Sequence, residues 1–157
     1  MTGTLYVISA PSGAGKTSLI AGLIQSTDGI VMSVSHTTRE RRENEKDGVD
    51  YHYVDEPAFE ALLAKQTFLE YARVFKCYYG TSKEWVEAQL KKGKDVVLEI
   101  DWQGGQQVQQ LMPESVSLYI LPPSLQALHD RLSNRNQDDQ KTVSYRMSEA
   151  KKEMSHY

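Results

Sequence analysis

Eight residues near the N-terminus, Ala10-Pro-Ser-Gly-Ala-Gly-Lys16-Thr17, have the composition of a phosphate cradle. They satisfy the pattern G-x-x-x-x-G-K-[ST] everywhere except the first position, where alanine stands for glycine. Gly13 and Gly15 let backbone N–H groups converge on phosphate oxygens, Lys16 adds a charge expected to be exposed in the cradle, and Thr17 offers a hydroxyl to Mg²⁺. Ala10 is compatible with the loop if its φ stays negative. Asp101 closes the apolar run Asp95-Val-Val-Leu-Glu-Ile-Asp101, where P-loop proteins carry the acid that organises Mg²⁺, although acidic strand ends are common. His36-Thr-Thr-Arg39-Glu-Arg41-Arg42 sets three arginines in four positions. Guanidinium forks suit a second phosphate, but on composition alone such a run reads more readily as a solvated charged loop.

These groups need a scaffold. Residues 4–9 are short, apolar and β-rich, and the glycine loop turns them into a helical pattern with Leu19, Ile20, Leu23 and Ile24. A strand follows at residues 31–35 and a polar loop at 37–50. All three phenylalanines and five of the nine tyrosines fall within residues 51–79, around a helix opening at Asp55-Glu-Pro. Residues 35–81 therefore read as a small inserted subdomain, in which Tyr53, Phe59 and Phe68 supply an aromatic mini-core. Ser82 caps a helix that Gly93 stops, and residues 95–101 form a buried strand. A helix over residues 103–112, a strand over 116–121 and a helix opened by Pro122-Pro-Ser124 complete the alternation. Residues 134–141 read as a loop before a last helix. Strands alternating with helices specify an α/β fold with a parallel sheet and right-handed crossovers.

The chain of 157 residues is 39% hydrophobic and 25% charged, the proportions of one folded domain. A net charge of −3 argues against a general affinity for nucleic acid. The single cysteine, Cys77, excludes an internal disulfide and a Cys-rich zinc site. No signal peptide is visible and no apolar run could span a bilayer, so a cytoplasmic protein without membrane partners is expected.

Several ordered blocks now accumulate: Ser33-Val-Ser-His-Thr-Thr-Arg39, Glu70 within Phe68-Leu-Glu-Tyr, Tyr78-Tyr-Gly-Thr81, and Leu98-Glu-Ile-Asp-Trp-Gln-Gly104. Together they resemble guanylate kinase over essentially the whole chain. The resemblance implies a P-loop nucleoside-monophosphate-kinase fold with a core of residues 1–34 and 82–130, a GMP-binding subdomain over 35–81, a lid over 131–146 and a further core segment from 147–157. It implies phosphoryl transfer from ATP to GMP with Mg²⁺ held by Thr17 and Asp101. ATP would lie on Ala10, Pro11, Ser12, Gly13, Ala14, Gly15, Lys16, Thr17 and Ser18, with Arg131 and Arg135. GMP would be held by Ser35, Arg39, Arg42, Tyr51, Glu70, Tyr79, Thr81 and Glu99. Lys16, Arg39, Arg131 and Arg146 would act in catalysis, the lid arginines by closing over ATP. The turn Arg41-Arg42-Glu43-Asn44-Glu45 lacks a proline and a glycine usual in the family, and Asn136 replaces a lid glycine. Relatives also continue beyond this C-terminus with a strand and a helix, and if nothing replaces these an exposed sheet edge and a poorer adenine site are expected.

Two other functional classes stay open at this stage. Asp101-Trp-Gln-Gly104 also fits the D-x-x-G of GTPase switches, but their N-K-x-D has only the scrambled Asn44-Glu-Lys-Asp47 as a counterpart. A non-catalytic guanylate-kinase-like module binding phosphorylated partners would use the same arginines, yet Lys16, Thr17 and Asp101 are intact. Self-association into a homo-oligomer stays open as well.

Overall fold

The computed structural model describes residues 2–74, 76–134 and 140–155. Strands β1 (Leu5–Ser9), β2 (Ile30–Met32), β7 (Asp95–Glu99) and β8 (Val116–Tyr119) form one sheet in the order β2-β7-β1-β8, with every pairing parallel. Helices α1 (Lys16–Ser26), α3 (Lys83–Lys91), α4 (Trp102–Leu111), α5 (Leu125–Ser133) and α6 (Gln140–Met154) surround it. Residues on both faces of the central strands are apolar because helices cover both sides. Val7, Val96, Val97 and Leu98 are at most 1% exposed, and Val86 of α3 and Val108 of α4 seal one face. Burying each such side chain stabilises the fold by about 1.5–3 kcal/mol.

Caps set the helix boundaries. Ser82 accepts from the N–H of Trp85, Asp101 from that of Gly104 and Ser124 from that of Ala127. Each satisfies an otherwise unpaired first-turn donor. Gly93 adopts φ 76° just past α3, the left-handed stop expected of it.

Strands β3 (His36–Thr37), β4 (His52–Tyr53), β5 (Phe68–Val74) and β6 (Cys77–Ser82) make a second sheet in the order β4-β3-β6-β5. Helix α2 (Glu56–Ala64), capped by Asp55, packs Phe59 onto it. Phe59 stacks on Phe68 at 4.6 Å and on Tyr78 at 5.3 Å, so the aromatic mini-core exists. Tyr53 is not part of that stack.

Three expectations shift. The strand expected at residues 31–35 divides: Ile30–Met32 joins the parallel sheet, and after Ser33 the chain crosses to the second sheet. Thr37, expected in a loop, is fully buried in β3, where its Oγ1 donates to the Tyr78 carbonyl at 3.0 Å. Gln140 and Lys141 belong to α6 rather than to a loop. The edge strand β8 exposes Val116 and Leu118.

Candidate functional site

The first sheet brings two strand ends together. Chain order β1-α1-β2 passes over β7, so the carboxyl ends of β1 and β7 lie side by side at a topological switch, where α/β sheets bind ligands. From β1 issues the glycine loop. Gly13 at φ 89° and Gly15 at φ 98° take left-handed conformations, and Gly15 caps α1 without a side chain. Ala10 is not among the positive-φ residues, so alanine fits at the first position of the loop. A Cβ on Gly13 would also strike Leu132 of α5, so that glycine allows α5 to dock on the loop as well. Arg131 of α5 donates from Nη1 to the Ala14 carbonyl at 2.9 Å.

Lys16 is half-buried rather than exposed, with Nζ donating to the Ile100 carbonyl at 3.1 Å. Burial lowers its pKa, against the pull of Glu99, Asp101 and Glu153. Thr17 Oγ1 donates to Glu99 Oε1 at 2.7 Å. Asp101 caps α4 through Oδ1 and accepts from Gln103 Nε2 at 3.1 Å through Oδ2. A hydroxyl and two carboxylates at one strand end are an oxygen donor set suited to Mg²⁺ carried in on a nucleotide, since that ion keeps most of its waters and takes few protein ligands.

Across the cleft stands the second sheet. In the β5–β6 hairpin Glu70 pairs with Thr81 and Ala72 with Tyr79, after a bulge between Phe68 and Glu70. Alternation then sends Glu70, Ala72 and Val74 toward one face, all lining the cleft. Glu70 is 3% exposed and accepts from Thr81 Oγ1 at 2.5 Å. Ser35 Oγ lies 3.3 Å from Thr81 Oγ1. Burial, helped by Asp101 and opposed by Thr81, raises the Glu70 carboxyl to about 7.

The P-loop, Ser35, Tyr51, Glu70, Tyr79, Glu99 and Asp101 line one cleft of about 320 Å³. Neither Arg39 nor Arg42 is in its wall; Arg39 stands against Tyr51, which is. Arg39 Nη2 donates to both oxygens of Glu45 at 2.7 and 2.9 Å, and its guanidinium lies 5.4 Å over the ring of Tyr51. Glu45 also accepts from the Arg42 N–H and from Tyr53 Oη, at 2.9 and 2.7 Å. Partial burial alone would raise the Glu45 carboxyl, but those hydrogen bonds pull it down to about 2. Glu45 in turn holds Arg39 above its ordinary pKa despite burial. Arg42 is exposed, 4.0 Å from Glu45, and Arg41 Nη1 donates to the Glu45 carbonyl at 2.7 Å. Arg146 sits half-buried on α6. Arg135 and Asn136 lie outside the described residues.

Sequence reasoning missed Glu45, Tyr53 and Glu153. Glu153 lines the cleft from α6, its carboxyl raised to about 7 by burial and by Asp101. The first two are revealed only by the folding back of the turn, and Glu153 only by where α6 packs. Asn44 and Asp47 of the scrambled N-K-x-D string sit in that turn, where Asp47 Oδ1 accepts from the Tyr53 N–H at 2.9 Å, a structural duty.

A parallel sheet with a glycine phosphate loop at its switch point, facing a second sheet across one cleft, defines a P-loop kinase fold. The guanylate kinase family profile matches residues 2–157. Guanylate kinase of Saccharophagus degradans is 56% identical over 99% of this chain and 76% of its own length. That of Methylococcus capsulatus is 57% identical over 99% of this chain and 76% of its own. The crystal structure of guanylate kinase from Anaplasma phagocytophilum superposes with a TM-score of 0.76 at 34% identity, covering 99% of this chain and 72% of that one. The chain belongs to the guanylate kinase family.

Proposed function

We infer that this protein transfers the terminal phosphoryl group of ATP to GMP, giving ADP and GDP. The observation that carries the assignment to GMP is the meeting, in one cleft, of the P-loop with the Glu70–Thr81–Ser35 corner. An ionised Glu70 can accept from guanine N1–H and N2–H₂ together, whereas adenine offers an acceptor at N1 and no 2-amino group. Thr81 and Ser35 would hydrogen-bond the rest of the base edge. Arg39, Arg42, Tyr51 and Tyr79 would hold the GMP phosphate, the arginines swinging in from the rim of the cleft. ATP phosphates would rest on the loop N–H groups, with Lys16 exchanging the Ile100 carbonyl for a phosphate oxygen. Thr17 and Asp101 would hold Mg²⁺, which neutralises phosphate charge when bound with ATP, and Glu99, hydrogen-bonded to Thr17, would stand beside them toward the GMP.

No covalent nucleophile is needed. A GMP phosphate oxygen attacks in line, and this chain supplies position, positive charge and exclusion of water. Arg131, already anchored on the loop at Ala14, would act with Arg135 and Arg146 as a lid over ATP. The lone cysteine suits a reducing, cytoplasmic setting. Among the described residues no helix is long and apolar enough to cross a membrane. The intact Lys16, Thr17 and Asp101 favour an enzyme over a phosphopeptide-binding module.

The test is coupled ADP release with ATP·Mg²⁺ against GMP, AMP, CMP and UMP. Turnover with GMP is expected, at least about a hundredfold above the other nucleotides. Lys16→Ala should lower it by on the order of a thousandfold, because the charge that would stand on the transferred phosphate is lost. Equal turnover of AMP, or a Lys16→Ala enzyme within a few-fold of the parent, would overturn the assignment.

A further inference from the structure

Helix α4 carries two adjacent glycines as its third and fourth residues, Gly104 and Gly105, each of which makes a helix about 1 kcal/mol less favourable than alanine would. Their surroundings differ. A Cβ on Gly105 would touch Ser9 Oγ at 3.4 Å and Val7 Cγ1 at 3.6 Å, which is ordinary contact. A Cβ on Gly104 would overlap Oε2 of Glu70, stand 3.1 Å from its Cδ and meet Ile100 Cδ1 at 3.3 Å. Space therefore requires the first glycine and not the second, and what occupies that space is the carboxylate. The other carboxylate oxygen is fixed from the opposite side by Thr81.

One turn along the same face, Gln107 completes the arrangement. Its Oε1 accepts from the Tyr71 N–H at 3.1 Å, and its Nε2 donates to the Tyr71 carbonyl at 2.7 Å. The side-chain amide so takes the place of a neighbouring strand on the free edge of β5, at the residue next to Glu70. An added methyl at Gly104 or a lost amide at Gln107 would displace the Glu70 carboxylate by on the order of an ångström from its place against Thr81. Displacements of that size at a reading group change rates by up to about a hundredfold.

We propose that the α4 face carrying Gly104 and Gln107 determines guanine specificity, as positioning residues that set where the Glu70 carboxylate stands. Gly104 provides the space for Oε2, and Gln107 anchors the strand that carries the side chain. The proposal rests on the reading of Glu70 as the guanine-recognising group.

The experiment measures kcat/KM for GMP and AMP, and KM for ATP, in Gly104→Ala, Gly105→Ala, Gln107→Ala, Glu70→Asp and the Gly104→Ala/Glu70→Asp double variant. Gly104→Ala should lower kcat/KM for GMP by on the order of ten- to a hundredfold, chiefly through KM for GMP, and narrow the GMP-to-AMP ratio with KM for ATP unmoved. Gly105→Ala should stay within about twofold of the parent. Glu70→Asp retracts the carboxylate from the overlap, so adding Gly104→Ala to it should cost far less than adding it to the parent, a non-additivity that simple helix damage would not produce. Gln107→Ala should narrow the ratio several-fold, and it carries the test if Gly104→Ala does not fold. An unchanged GMP-to-AMP ratio in Gly104→Ala or Gln107→Ala, or independent penalties in the double variant, overturns the proposal alone when Glu70→Asp does narrow the ratio. If Glu70→Asp leaves the ratio unchanged, the reading of Glu70 falls and the proposal with it.

Discussion

Glu70 meets two opposing demands. To read guanine it must be ionised, yet burial pushes its carboxyl up to about 7, so near neutrality a sizeable part of the free enzyme carries the wrong protonation state. Below that pKa, kcat/KM for GMP should fall more steeply with pH in the parent than in Glu70→Gln, which keeps only the titration of the GMP phosphate. Glu70→Gln keeps the size but places an NH₂ group against a donor edge. Turnover of GMP should drop by on the order of a hundredfold, about 2.7 kcal/mol, and discrimination against AMP should narrow. Steady-state kinetics with both nucleotides checks this, and an unmoved GMP-to-AMP ratio would remove Glu70 from the site.

At the scale of the element, the turn from Arg39 to Tyr53 is held by its acids, Glu45 foremost. Although a proline and a glycine usual in the family are missing, Glu45 ties Arg39, the Arg42 backbone and Tyr53 together. Arg39→Ala should raise KM for GMP by at least tenfold, since a charge-assisted bond contributes about 1.5–3 kcal/mol, and should also destabilise the fold by leaving Glu45 without its main partner. Arg42→Ala should raise KM for GMP with the stability unchanged, because Arg42 is exposed. Arg41→Ala should do little to either. KM for ATP should move in none of the three. Titrations against both nucleotides with parallel thermal melts separate these outcomes, and a larger effect on ATP than on GMP would misplace the turn.

For the whole molecule, shifted carboxyls shape stability against pH with opposite signs, Glu45 one way and Glu70 and Glu153 the other. Glu45 is held at about 2 against an ordinary 4.5, so its contribution is fully present above 4.5 and is lost as pH falls toward 2. Glu70, raised to about 7, stays protonated in the folded state while the unfolded chain ionises above 4.5. Its burial therefore costs stability progressively from pH 4.5 to 7, on the order of 3 kcal/mol at the top of that window. Relative to the parent, Glu70→Gln should gain in thermal midpoint between pH 5 and pH 8, and Glu45→Gln should lose most above pH 5 and least near pH 2. Melts across that range test both signs, and parallel curves for parent and variants would refute them.

Local features are the ones that can be read from residue order. Glycines at two loop positions, caps at Asp55, Ser82 and Ser124 and apolar runs of strand length act within a few residues of themselves, so the P-loop, most helix starts and the parallel sheet were legible from spacing. Glu70 and Thr81 could be singled out only through resemblance, because nothing in a pair eleven residues apart states that a bulge and a hairpin register will set them face to face. The remaining features arise from packing. His36 and Thr37 became a strand because β6 offers them a partner across the chain. Lys16 turned inward because the carbonyl of Ile100, on the neighbouring strand end, accepts from it. Glu45 gathered the arginine turn, Glu153 reached the cleft from α6, and Gly104 yielded its missing side chain to Glu70. Each of these depends on contacts between residues remote in sequence, whose pairing is fixed by packing and not by local propensity.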